Sequence, residues 1–162
     1  MVGPTRTRRP LFSGETVLKK SRPTYETAED TENERKVIRR VAEKLGLSAA
    51  KAPKFYPFDY SLVSGKKIVG FYEVKCRNYP IHKIDPVKIS VHKVCQIVQM
   101  SQLSGVPAHL VVACEDGIWD CGLMPHVVKT FDVTMWGRNE PRDWQDTEPC
   151  FSIPVNRMVK IE

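Results

Sequence analysis

The reading turns on KFYPFDYSLVSGKKIVGFYEVKCR, residues 54–77. Two segments rich in Val, Ile, Phe and Tyr flank a tight Ser64-Gly65-Lys66-Lys67 connection, which predicts a β-hairpin. Asp59 stands in the first arm, and Glu73 and Lys75 stand two residues apart in the second. Side chains in a strand alternate faces, so Glu73 and Lys75 share one face and Val74 takes the other. Two carboxylates and an ammonium inside an apolar hairpin form a charged cluster, and chemistry is expected there.

Asp59, Glu73 and Lys75 resemble the signature of the PD-(D/E)XK nuclease superfamily, an Asp followed after a variable gap by Glu-x-Lys at the end of a hairpin. The usual Pro-Asp pair is replaced by Phe58-Asp59, with Pro57 one position earlier. The resemblance implies a restriction-endonuclease-like core and metal-assisted hydrolysis of phosphodiester bonds, leaving 5′-phosphate and 3′-hydroxyl ends. Asp59, Glu73 and the Val74 backbone carbonyl would then hold Mg²⁺, with Mn²⁺ able to substitute. Mg²⁺ binds through few carboxylates plus substrate phosphate and keeps several waters. Lys75, as a point charge, would hold or deprotonate the attacking water. The bland alternative is a surface Glu–Lys pair, worth little energetically; Asp59 in the partner arm and the apolar surroundings argue against it.

The resemblance also reaches the flanking helices. Residues 31–45 carry Val37, Ile38, Val41, Ala42 and Leu45 at helical spacing, with Gly46 as a C′ residue. Glu34 falls on the inward side of that stripe. It matches the Glu that superfamily members often add to the metal site from their first helix, and it equally completes a capping box with Thr31. A second helix is expected over residues 90–104, with Ser90 as N-cap, Gly105 at its end, and Val91, Val94, Cys95, Val98 and Leu103 as its packing face. Relatives place a Gln or Lys from this helix beside the carboxylates; Gln96 is the candidate here and Gln99 the alternative. A solvated polar flank is the competing reading. RecB-like members carry a Tyr four residues after that Gln, where this chain has Met100.

The net charge is +6 with a pI near 9.1. Much of the excess lies in Arg6, Arg8, Arg9, Lys19, Lys20 and Arg22. Residues 1–25 therefore read as a basic, flexible arm before one nuclease-like domain over 26–162. The arm suits a polyanion through phosphate neutralisation, or serves only as a solubilising tail. Arg77, Lys83 and Lys93 are further candidate nucleic-acid contacts. Five cysteines without a CxxC pair read as free thiols, and their spacing does not suggest an iron–sulfur cluster. No apolar run is long enough for a membrane span and the N-terminus does not look like a secretory signal, so the expected location is cytoplasmic, or nuclear in a eukaryotic host.

Between and beyond these elements, residues 47–54 and 78–88 read as irregular connections. Residues 107–115 and 118–124 read as a strand pair around Asp116-Gly117. His109 and His126 have no partners at metal spacing, and Asp120 reads as an edge-facing carboxylate. Trp136, Arg138, Arg142 and Trp144 interleave aromatic and basic groups, a stacking and phosphate-contact surface if they do not simply anchor a loop. The last segment reads as an edge strand interrupted by Pro154. Helix, two strands, crossover helix and two further strands give an α/β fold, a central mixed β-sheet flanked by helices. The expected function is a metal-dependent DNA nuclease, with junction or branch cutting and recombination or repair as candidate roles. RNA stays open as a substrate and a homodimer as an assembly. A non-catalytic nucleic-acid-binding protein with this fold is the alternative.

Overall fold

The computed structural model describes residues 27–137 and 146–162. Helix α1 (Ala28–Lys44) is capped by Thr27: its hydroxyl accepts from the Asp30 N–H, and the Asp30 carboxylate accepts from the Thr27 N–H. This reciprocal box lies one turn before the expected Thr31–Glu34 box, so Glu34 is not the capping residue. Ile38, Val41 and Ala42 form the buried stripe. No described helix is long and apolar enough to cross a membrane.

Residues 48–51, expected as a connection, form strand β1 (Ser48–Lys51). Ser-Ala-Ala-Lys has weak intrinsic strand preference; pairing with β2 (Tyr60–Ser64) imposes the conformation, from Ser48 opposite Val63 to Lys51 opposite Tyr60. The hairpin is present, with β2 joined to β3 (Lys67–Cys76) through Gly65 and Lys66. Gly65 sits at φ +61, a conformation that other L-residues rarely adopt. β2 begins only at Tyr60, so the first arm is shorter than expected and β3 runs on beyond its partner.

Residues 78–88, expected to be irregular, contain a 3₁₀ turn (Ile81–Ile84) and run into strand β4 (Val87–Ser90). Helix α2 (Val91–Ser104) follows and stops at Gly105, which has φ +70. Ser90 does not cap it; the Ser90 hydroxyl instead donates to Glu148 at 2.8 Å. Val94 and Ile97 are the buried residues of α2, whereas Cys95 and Leu103, expected in the packing face, are exposed. The helix is thus rotated about its axis relative to the expected stripe.

Strand β5 (Ala108–Cys114) lies parallel to β3, and β6 (Gly117–Gly122) returns antiparallel to β5. A short helix α3 (Pro125–Val128) leads to β7 (Asp132–Gly137), β8 (Thr147–Ile153) and β9 (Val159–Lys160). Six strands make a mixed sheet in the order β1-β2-β3-β5-β6-β9, and a second sheet has the order β4-β8-β7. The expected terminal edge strand is therefore the middle strand of the second sheet, and Pro154 falls just after it. One core packs α1 against Tyr72, Val74 and Val111 on one face of the large sheet. The other face, with Phe71, Leu110 and Val112, packs against α2 and the second sheet. Glu73 and Lys75 emerge on this second face, in phase with Phe71.

Candidate active site

The overhang of β3 builds the site. Asp59 immediately precedes β2; its N–H donates to the Tyr72 carbonyl at 2.9 Å, and its Oδ2 accepts from the Val74 N–H at 2.9 Å. The carboxylate thus continues the ladder after the strand has ended. A residue's N–H and C=O point to the same strand edge, so the Val74 carbonyl faces the edge that Asp59 occupies. Glu73, one step away on the α2 face, is only 3% exposed.

Lys93, in the first turn of α2, reaches across the layers to these carboxylates. Its ammonium lies 2.6 Å from the Glu73 carboxylate and 3.7 Å from Asp59 Oδ1. It donates to Glu73 Oε1 and lies equally close, at 2.6 Å, to the buried Oε2, so one ammonium faces both carboxylate oxygens. A cleft of about 320 Å³ opens here, lined by Glu34, Asp59, Glu73, Val74, Lys75 and Lys93, with Asp30 and Arg77 also in its wall. Lys51 holds Glu34 at 3.4 Å and lies 4.5 Å from the centre of the Tyr60 ring. Among the described residues, no three His, Cys, Asp or Glu side chains converge as a ready set of metal ligands.

Burial sets the protonation of the cluster. It pushes the Glu73 carboxyl up to about 7 despite the opposing pull of Lys93, with the Asp59 charge adding to the rise. Burial also lowers the Lys75 ammonium, and the neighbouring Arg77 and Lys93 charges reinforce that against Glu73. For Lys93 burial works downward, but Glu73 and Asp59 outweigh it and hold the ammonium above its ordinary value. Replacing Lys93 by Met should therefore move the Glu73 titration, followed by carboxyl ¹³C NMR in metal-free protein, upward by about one unit or more. An unmoved midpoint would show that the pair is not electrostatically linked.

The structure thus brings together Glu34, Asp59, Glu73, Val74, Lys75, Arg77 and Lys93. Gln96 and Gln99 are exposed and do not line the cleft. Lys93 takes the position expected of Gln96, because burying Val94 and Ile97 turns the Gln96 side outward. Ile97, which the expected packing face left out, was the available signal. Lys83 lines an adjoining cavity. Arg6, Arg8, Arg9, Lys19, Lys20, Arg22, Arg138, Arg142 and Trp144 lie outside the described residues. Lys51 was missed because its segment carried no strand signal. His109 is not isolated: its Nδ1 is 3.0 Å from Asp120 Oδ2 and its ring stacks on Tyr72. Strand pairing creates that contact, which spacing alone does not reveal.

The chain matches the family described as "Phage putative PDDEXK endonuclease" over residues 20–161. It belongs to that family. The PDDEXK endonuclease match spans both the hairpin and the segments that form the second sheet. Among solved structures, the fold is similar to that of Hjc, a Holliday junction resolvase from the hyperthermophilic archaeon Archaeoglobus fulgidus. The TM-score is 0.53 at 16% identity, covering 81% of this chain and 91% of the resolvase. A comparison with curated proteins finds no significant match. The restriction-endonuclease-like core expected from Asp59, Glu73 and Lys75 is the fold of this PDDEXK endonuclease.

Proposed function

We propose that this PDDEXK endonuclease is a divalent-metal-dependent enzyme that hydrolyses phosphodiester bonds in branched DNA. The observation that carries the reading is the convergence of Asp59, Glu73 and Lys75 at the overhanging end of β3, in a cleft shared with the Val74 carbonyl edge. Branched DNA is the proposed substrate because the fold is similar to that of a Holliday junction resolvase. Cutting two strands of a junction needs two sites, so the proposed working form is a homodimer.

The donor set fits Mg²⁺ or Mn²⁺. Asp59 Oδ1, Glu73 Oε2 and the Val74 carbonyl are hard oxygens beside one another, and the Lys93 ammonium, 2.6 Å from Oε2 and 3.7 Å from Asp59 Oδ1, already stands where a cation would be held. Two carboxylates with a carbonyl suffice for Mg²⁺, whose remaining positions go to water and phosphate. Bound there, the ion would supply Lewis-acid stabilisation of the phosphoryl oxygens and acidify a water. Asp59 Oδ2, fixed by the Val74 N–H, orients the rest of its carboxylate toward the cleft. Lys75, with its lowered proton affinity, holds the attacking water and accepts its proton at Nζ. Arg77, at the cleft wall, neutralises a backbone phosphate. Glu34, fixed by Lys51, lies on the α1 side as a water-orienting carboxylate.

The test is a cleavage panel of linear duplex, single strand, flap, four-way junction and RNA with Mg²⁺, Mn²⁺ or EDTA. Cutting of branched DNA that EDTA abolishes is expected. Binding without cutting on every substrate would overturn the enzymatic reading and favour a DNA-binding protein that kept the fold.

A further inference from the structure

Next to the catalytic cleft lies a second cavity of about 320 Å³, within the size range of small-ligand sites. Lys75 and Arg77 line both spaces, so the two adjoin at the end of β3. Beyond them the second cavity presents Tyr79, Lys83, Lys88 and Trp136. Its one carboxylate, Asp85, accepts from the Val155 N–H at 3.0 Å and is thereby engaged in the fold. Among the described residues none of Lys75, Arg77, Lys83 and Lys88 forms an ion pair with a carboxylate. Leaving Lys75 to the catalytic cleft, Arg77, Lys83 and Lys88 outnumber the single Asp85 carboxylate in this wall, an excess of positive charge that calls for an anion.

The aromatic side is as specific as the charge. Trp136 and Tyr79 are both exposed large rings, although each stands at the rim of a cavity. The Lys88 ammonium lies 5.4 Å from the Trp136 ring centre and donates to Ser152 Oγ at 2.6 Å and Thr134 Oγ1 at 2.9 Å. Two of its three protons are thus committed to holding it in place, and one is left for a ligand. A flat ring beside a fixed cation and further basic groups matches one chemistry, a nucleobase with its phosphate.

We propose that this cavity receives the nucleotide next to the scissile phosphate in unpaired form, its base on Trp136 and Tyr79 and its phosphate among Arg77, Lys83 and Lys88. A duplex cannot enter a space of this size, and a base inside a duplex presents no free face to Trp136. Taking a base out of the helix costs least where it is already unpaired. The cavity therefore selects sites where the strand leaves the helix, as at a flap or junction. This rests on the nuclease reading and adds the feature of the substrate that is recognised.

The test uses the full chain and oligonucleotides carrying 2-aminopurine beside the cut site, either unpaired at a branch or paired in a duplex. In EDTA, wild type should quench the unpaired 2-aminopurine and leave the paired one bright. Trp136→Ala should lose the quench, weaken branched-DNA binding about tenfold and lower the branch-to-duplex cutting ratio by a similar factor in Mg²⁺. Trp136→Phe, which keeps a ring, should retain most of both. An unquenched wild type, or a Trp136→Ala variant with the quench and ratio of wild type, overturns the subsite while leaving a cutting enzyme intact. Quenching by wild type that cuts nothing in Mg²⁺ or Mn²⁺ supports the subsite and sinks the nuclease reading instead.

Discussion

Lys75→Met is expected to cut branched DNA at no more than about a hundredth of the wild-type rate in single turnover while still binding it, because one preorganised cation at the developing charge is worth about 10²–10³ in rate. Met keeps the length and fills the partly buried position without the ammonium. Asp59→Ala should fall as far, since it removes both the carboxylate and the acceptor of the Val74 N–H. Lys75→Arg separates two roles. Arginine keeps the charge but does not give up its proton in proteins. If Lys75 accepts the proton from water, the arginine variant stays slow and loses the rise in rate with pH that wild type shows as the lowered lysine deprotonates. Recovery of both rate and pH profile by arginine would confine Lys75 to an electrostatic role, and undiminished cutting by Lys75→Met would remove it from the site.

The second large effect concerns stability. Glu73 rises from 4.5 in the unfolded reference to about 7 in the folded protein. A raised folded value means that the native state binds the proton more tightly than the unfolded chain. Its contribution is fully present below 4.5 and is lost as the pH climbs through 7. The difference amounts to about 3 kcal/mol of unfolding free energy. In metal-free urea denaturation, Glu73→Gln should lack this slope, so its stability relative to wild type rises by about 3 kcal/mol between about pH 4 and pH 9. Saturating Mn²⁺ should flatten the wild-type slope by favouring the carboxylate, and leave the variant unaffected. Parallel pH curves for the two proteins would show that Glu73 is not the buried carboxyl that titrates. The same variant should lose cutting, which sets the stability gain against function.

How far this was legible from sequence depended on the kind of interaction that fixes each element. The β2–β3 hairpin was readable because its glycine turn and aromatic, β-branched arms are local signals, and they placed Asp59, Glu73 and Lys75. Strand β1 was not, since Ser48–Lys51 becomes a strand only through its partner. The α1 cap was placed one turn late because Thr31–Glu34 has the same spacing as Thr27–Asp30, and only the backbone chooses between them. The rotation of α2 was misjudged because its residues are apolar on more than one side; packing of Val94 and Ile97 against both sheets decides it. That error carried the polar partner of the carboxylates from Lys93 to Gln96. The second sheet escaped notice because β4 joins it across about 60 residues of chain, as with Lys88 opposite Ser152, whereas β7 and β8 pair locally.

The Lys93 ammonium between Glu73 and Asp59 also bears on how the protein lives between encounters with metal. Many small metalloproteins fold only when their ion arrives, because the free energy of binding it is the free energy that folds them. Here a counter-charge is part of the chain, so the carboxylates can pack together before any ion is loaded. Arrival of a divalent cation becomes an exchange of one cation for another. On the proposed metal-dependent mechanism, withdrawing the divalent cation is expected to stop cutting while leaving the fold in place, and returning it to restart an intact molecule.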